Sequence, residues 1–223
     1  MILYKFKSLR NFEHVFDILH NERLFCTKYS NLNDPFEGLF LATMHLPSLS
    51  GLSYIAFMSA IAGGNYTGKY KVSKKVEDLY YQLEHIKICS LSDNFNDVRL
   101  WSHYADGYKG IAIAIDFPDT ESVLHKVKYS AELPEFSDTI LCAPSPPEVL
   151  SRKTNHWEYE AEYRIIQDKD YHSVKGRIKT IYAGQRITEC HAEMLKKIIP
   201  QGVSMYMTKL NTEKVKIEQD KSL

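Results

Sequence analysis

The sequence predicts a single α+β domain over residues 1–223, with a central mixed or antiparallel sheet and flanking helices. Three observations predict it. Strand-like and helix-like stretches are interspersed without the regular strand–helix–strand alternation of a doubly wound sheet. One run, Ile111 to Phe117, is apolar on both faces and reads as a central strand. No internal repeat or linker-like stretch divides the 223 residues, and one core of that size buries roughly 70% of the unfolded chain's surface.

Taken in order, Ile2 to Phe6 is rich in β formers and reads as a first strand ending near Lys7. Asn11 suits an N-cap, and Phe12, Val15, Phe16 and Leu19 mark one face of a helix closed by Asn21. Leu24 to Thr27 is a short second strand, followed by turn formers from Tyr29 to Pro35. Leu39 to Met44 reads as a strand or a helix start. Ser53 to Ala62 reads as a buried helix stopped by Gly63-Gly64, with 64–68 a mobile loop. The stretch from Leu39 to Tyr70 as a whole is not placed by its pattern, and a mobile lid over the site is one reading of it. Ser73 can cap a helix to about His85, with Val76, Leu79, Tyr80 and Leu83 on its apolar side.

Ile86 to Leu91 is a strand, Ser92 to Asn94 a turn, and Asp97 starts a short helix through Tyr104. In the Ile111–Phe117 strand, Ile occupies one face and Ala the other, so a neighbour must approach the Ala face closely. Val123 to Tyr129 is the next strand, and Leu133 to Pro147, with four prolines, is a long or partly helical loop. Tyr159 to Ile166 and Arg177 to Tyr182 read as strands. Thr188 can cap a helix to about Ile198, with Glu189 favourably placed in its first turn. A hairpin across Asn211-Thr212 ends the chain.

Composition narrows the function. Lys and Arg total 28 and Asp and Glu total 28. That balance argues against a nucleic-acid coat or an acidic-lipid binder, which need a strong positive field. A local basic patch, Lys69 to Lys75, remains. The four cysteines include no C-x-x-C, and the chain opens without a basic-then-apolar leader, so a reducing cytoplasm is expected. Its most apolar window is about ten residues long, too short to span a bilayer. The nine histidines show no H-x-x-x-H or H-E-x-x-H spacing, so no metal is predicted.

Three segments look like a site. They are Leu3-Tyr4-Lys5-Phe6 followed by Asn31 to Glu37, then Leu100 to Ile111, and finally Trp157 to Arg164. On a strand, Glu158, Glu160, Glu162 and Arg164 would share one face, and crowded carboxylates with one nearby cation gain proton affinity. Such a group suits acid–base work, though a solvated strand face carrying an ion pair would read the same way. In the short helix, Trp101, Tyr104 and Ala105 share a face, with Trp101 assigned to the core. His103 points elsewhere, as a general acid or base or as a surface histidine. Lys109 beside Gly107 and Gly110 suggests an anion contact, while the glycines themselves fit a tight turn. The Asn33-Asp34-Pro35 turn has a structural explanation in side-chain-to-backbone bonding, with Asp34 and Glu37 left open.

In order and spacing, these three segments resemble a widespread bacterial family, domain of unknown function 2971. The likeness extends through Ile181-Tyr182-Ala183-Gly184. A second, more distant resemblance is to ADP-ribosyltransferases, which carry a basic or histidine residue on an early strand, a Ser-x-Ser or aromatic segment, and a late Glu-x-Glu. Here these are Lys5, Ser90-Leu91-Ser92 and Glu160-Ala161-Glu162. That likeness implies an NAD-using enzyme that transfers or removes ADP-ribose, as a toxin or phage-defence effector. Glu162 would be catalytic, Glu160 and His103 would assist, and Arg164 would orient them. Tyr4, Lys5, Asn33, Asp34, Ser90, Ser92, Trp101, Tyr104 and Lys109 would line the nucleotide site. The acceptor would be a protein or a nucleic acid, with no membrane partner. Two alternatives stay open: a metal-dependent nuclease or phosphodiesterase using His103 and gathering magnesium at Asp34, Glu37, Glu160 and Glu162, and a non-enzymatic module that binds a ligand or partner.

Overall fold

The computed structural model describes residues 1–38, 41–44, 53–56, 74–132, 135–137, 144–214 and 216–222. The strands are β1 (Ile2–Lys7), β2 (Arg23–Phe25), β3 (Thr27–Lys28), β4 (Leu41–Met44), β5 (Ser53–Ala56), β6 (Lys87–Ser92), β7 (Ile111–Asp116), β8 (Leu124–Lys126), β9 (Lys128–Ser130), β10 (Glu135–Ser137), β11 (Arg152–Thr154), β12 (Glu162–Gln167), β13 (Tyr171–Ser173), β14 (Ile178–Ala183), β15 (Ser204–Asn211) and β16 (Lys216–Ser222). The α-helices are α1 (Phe12–Asn21), α2 (Lys74–His85), α3 (Val98–Tyr104), α4 (Pro146–Leu150) and α5 (Glu189–Ile198). The fold is α+β, built on a mixed nine-stranded sheet of order β16-β15-β14-β7-β1-β6-β12-β8, with β3 also pairing with β6. Only β14 and β15 run parallel within it. Among the described residues, no helix is long and apolar enough to cross a membrane.

The central strand is β7, buried along both faces except at Asp116. Its Ile111, Ile113 and Ile115 pack with Val15, Ile18 and Leu19 of α1 and Leu195 of α5. On the opposite face Ala112 leaves room for Phe6, Leu100, Trp101 and Ala105. That is the close neighbour the Ile/Ala alternation required, and it is α3. Trp101 is fully buried, and its Nε1 donates to the Phe95 carbonyl at 2.8 Å. Asp97 caps α3 by accepting from the Arg99 N–H at 2.8 Å, and Thr188 caps α5 by accepting from the His191 N–H at 3.3 Å.

Several expected boundaries move. Ser53–Ala56 is a strand paired antiparallel with Leu41–Met44, where a buried helix was expected. A short apolar run with aromatic and β-branched residues fits either element, and the available partner strand decides. The rest of that window, the Gly63-Gly64 stop, the 64–68 loop, most of the 39–70 lid, the Ser73 cap and most of the basic patch lie outside the described residues. The second strand breaks at Cys26 because its halves pair differently, β2 with β13 and β3 with β6. The Val123–Tyr129 strand likewise divides at Val127, since β8 pairs with β12 and β9 with β11. Within the proline-rich loop, Glu135–Ser137 is a strand parallel to β4, and Pro146 opens α4.

The largest correction falls at Tyr159–Ile166. Asn155–Glu160 is a 3-10 helix, Ala161 takes a left-handed conformation (φ 43°), and β12 starts only at Glu162. Glu158 is exposed on the turn, so it does not share a face with Glu160 and Glu162. The sharp bend at Ala161 still leaves those two carboxylates side by side, as the next section describes.

Candidate functional site

Strands β1 and β6 are antiparallel neighbours but pair at a single position, Tyr4 opposite Ser92. By contrast β1 pairs with β7 along its whole length, and β6 does the same with β12. Continuing the register would set Phe6 against Ser90, but beyond Tyr4 the strands part. The opening is a cavity of about 310 Å³ lined by both strands, with Asn33, Tyr104, Lys153, Glu160 and Glu162 completing it. Lys5 reaches across, its Nζ donating to the Ser90 carbonyl at 2.7 Å. Because Glu162 also pairs with Ser92, residues Tyr4, Ser92 and Glu162 form one row across three strands. Residues from the early, middle and late segments thus meet at one end of the opening.

Beside that row lies a buried charge cluster. Arg164 is fully buried, and its guanidinium donates from Nη1 and Nη2 to the two Glu37 oxygens at 2.6 and 2.8 Å. Its Nε donates to Glu162 Oε1 at 2.8 Å, and Nη1 also donates to the Leu150 carbonyl at 2.6 Å. Lys153 Nζ lies 2.6 Å from Glu160 Oε2 and 3.2 Å from Glu162 Oε2. The same ammonium stands 4.6 Å from the centre of the Trp157 ring. Tyr104 donates its hydroxyl proton to Glu160 Oε1 and accepts from Asn33 Nδ2 at 2.7 Å. The Glu162 N–H donates to the Tyr129 hydroxyl at 2.8 Å, and Ser92 Oγ donates to the Glu160 carbonyl at 2.6 Å. Every member therefore has partners, which a buried network needs to be stable.

Protonation follows from these contacts. Burial pushes the Glu162 carboxyl up, but the Arg164 and Lys153 charges, with hydrogen bonds from Arg164 and Ser90, outweigh it and hold the group down at about 2. At Glu37 burial wins over Arg164, and the neighbouring Glu162 charge adds to the rise. Three carboxylates face two cations in this cluster. Burial, and then the Glu160 carboxylate, raise the Tyr104 phenol, which keeps it a hydrogen-bond donor.

Lys5, Lys7 and Cys89 line the cavity from β1 and β6. Burial, and then the charge of Lys5, lower Lys7 to about 8. Sharing of a proton with Cys26 lowers the Cys89 thiol against burial, with Lys5 and Lys7 assisting. Sharing of that proton and burial raise Cys26 correspondingly.

Of the residues expected to form a site, Tyr4, Lys5, Asn33, Ser90, Ser92, Tyr104, Glu160 and Glu162 line this one cavity. Arg164 sits behind it, holding Glu162. The others lie elsewhere. His103 is exposed, with Nδ1 3.1 Å from the Tyr159 hydroxyl, because it occupies the outer side of α3. Lys109 is also exposed, and Trp101 belongs to the core. The buried Asp34 carboxylate accepts from the Phe36 N–H at 2.9 Å, a turn-forming bond. Gly107 does serve a turn (φ 59°), whereas Gly110 serves close approach, since a Cβ there would lie 2.2 Å from the Lys7 carbonyl oxygen.

Lys153, Lys7 and Tyr129 carry no motif signal in the sequence. A lysine in Ser151-Arg152-Lys153-Thr154 reads as surface until the fold buries it among carboxylates. Among the described residues, no group of three or more His, Cys, Asp or Glu side chains is arranged to hold a metal ion. Comparisons with protein-family models, with curated proteins and with solved structures found no match to this chain.

Proposed function

We propose that the cleft between β1 and β6 binds a nucleotide, with NAD as the first candidate, and that the protein breaks or transfers its ribosyl bond in the manner of ADP-ribosyltransferases. The observation that carries this reading is the lining of one cavity by Lys5 and Lys7 on β1 and by Glu160, Glu162 and Tyr104 at the end of the row. Phosphate suits the lysines, and sugar hydroxyls suit the carboxylates and the phenol. A volume of about 310 Å³ lies at the lower end of the range for ligand pockets, about 300–1,000 Å³, so half of a dinucleotide would seat inside. Glu162 remains ionised at neutral pH and is braced from behind, which fits a group that stabilises positive charge developing on a ribose. Glu160 would orient a hydroxyl, with Lys153 and Tyr104 fixing its own position.

The cations already bound to Glu37, Glu160 and Glu162 favour this reading over a magnesium-dependent nuclease, since a metal would have to displace Lys153 or Arg164. The test is nicotinamide release from NAD, followed chromatographically, alongside thermal melting with and without NAD. Wild-type protein is expected to release nicotinamide and to melt higher with NAD. Glu162→Gln should keep the NAD-induced shift and lose the release. Absence of both release and shift in the wild type overturns the proposal.

A further inference from the structure

We propose that Cys26 and Cys89 are a reversible dithiol–disulfide pair that closes when a small hydroperoxide enters the cleft, Cys89 reacting first. The inference is independent of the nucleotide reading. It begins with register: β3 pairs antiparallel with β6 as Thr27 opposite Ile88 and Lys28 opposite Lys87, and extending that register one residue past the end of the ladder would bring Cys26 opposite Cys89. Residues directly opposed on antiparallel strands have Cα atoms about 4.5–5.5 Å apart, inside the roughly 4.4–6.8 Å span of disulfides. Both residues belong to one hydrophobic core cluster.

Access and activation both point to Cys89. Cys89 is among the residues that line the cavity and Cys26 is not, although both are buried in the same core cluster. Lys5 and Lys7 stand on the neighbouring strand and favour the thiolate, which is the nucleophile. Cys26 is tied at its backbone, its N–H donating to the Asp170 carbonyl at 2.7 Å, where the chain passes from β2 to β3. The resolving thiol is therefore held in place rather than carried on a free loop.

The chemistry balances. The Cys89 thiolate attacks the peroxide oxygen, the O–O bond breaks, and the departing alkoxide or hydroxide takes the Cys26 proton, leaving Cys89 as a sulfenic acid. The Cys26 thiolate then attacks Cys89 Sγ and expels hydroxide, which the proton released earlier by Cys89 neutralises. Two thiols and one hydroperoxide become a disulfide, an alcohol or water, and one water.

The test treats the intact protein with hydrogen peroxide, blocks remaining thiols in denaturant with N-ethylmaleimide, and maps unreduced peptides by mass spectrometry. A Cys26–Cys89 peptide pair, two hydrogens lighter than its parts and abolished by dithiothreitol, is the expected product. Cys26→Ser should stop at a dimedone-trappable sulfenic acid on Cys89, and Cys89→Ser should leave Cys26 as a thiol. Exposed Cys190 serves as an internal control. The proposal is overturned if Cys190 oxidises while Cys26 and Cys89 both remain open to the maleimide, or if Cys26 oxidises as fast in Cys89→Ser as in the wild type.

Discussion

Glu37 and Arg164, 127 positions apart in the chain, meet in a bidentate ion pair with both side chains buried, at 2.6 and 2.8 Å. The pair ties the turn after Asn33-Asp34-Pro35 to the strand that carries Glu162. Removing Glu37 takes one of its two carboxylates from the buried Arg164, and removing Arg164 leaves the Glu37 carboxylate without its guanidinium; either is costlier than replacing both.

Glu37→Met is therefore expected to destabilise the protein by about 3–5 kcal/mol in urea unfolding. The double variant Glu37→Met/Arg164→Met should lose less than the sum of the single losses, by more than about 1 kcal/mol. Additive losses would show that the two side chains do not act as a unit.

Acid should reveal Glu162. Its folded-state value lies near 2, below the ordinary 4.5, so its contribution is complete above about pH 4.5 and disappears as pH falls toward 2. The size is about 3 kcal/mol for a group this deeply buried. Stability measured against pH should fall across that window in the wild type and fall less in Glu162→Gln. Lys153→Met should shift the fall to higher pH, since the Lys153 charge helps hold the Glu162 carboxyl down. Unchanged profiles in both variants would remove Glu162 from the account.

Tyr104→Phe deletes the proton that Glu160 Oε1 accepts, leaving that oxygen with one partner fewer inside the site. A loss of about 1–3 kcal/mol is expected from thermal or urea unfolding. If the nucleotide reading holds, nicotinamide release should fall with it. A fully stable Tyr104→Phe would mean that water replaces the phenol without cost.

Two glycines three residues apart should respond differently. Gly110→Ala would bring a Cβ to 2.2 Å from the Lys7 carbonyl oxygen and 2.9 Å from Ala105 Cα, both backbone atoms. Destabilisation of about 3 kcal/mol or more is expected, because neither neighbour can turn aside. Gly107→Ala meets nothing within 4 Å but keeps a left-handed backbone (φ 59°), so about 1 kcal/mol is expected. Equal effects at the two positions would contradict the close approach.

Much of the scaffold was legible from periodicity, joined by side-chain caps at α3 and α5, whereas Asn11 makes no side-chain cap bond to α1. The β1 strand, α1, α3 with its Asp97 cap, the two-faced β7 and the Thr188-capped α5 all follow from local pattern. Cys26 and Val127 break their strands for a non-local reason, a change of partner that no window of sequence contains. Alternating Glu residues suggested a strand through Glu160, whereas the left-handed Ala161 separates a 3-10 turn from β12. Even so, Glu160 and Glu162 end up on one lysine, and that lysine, Lys153, reads as an ordinary surface residue until its burial is known.

The parting of β1 from β6 after Tyr4–Ser92 has a consequence for how this protein can vary. The opening is lined by residues of both strands, and its existence depends on where those strands stop pairing. Point substitutions along the rim would retune what is admitted while leaving the aperture in place. Descendants of this chain could therefore drift in preference long before they lost the vestibule itself, and to erase it would take an insertion, a deletion or a slip in register.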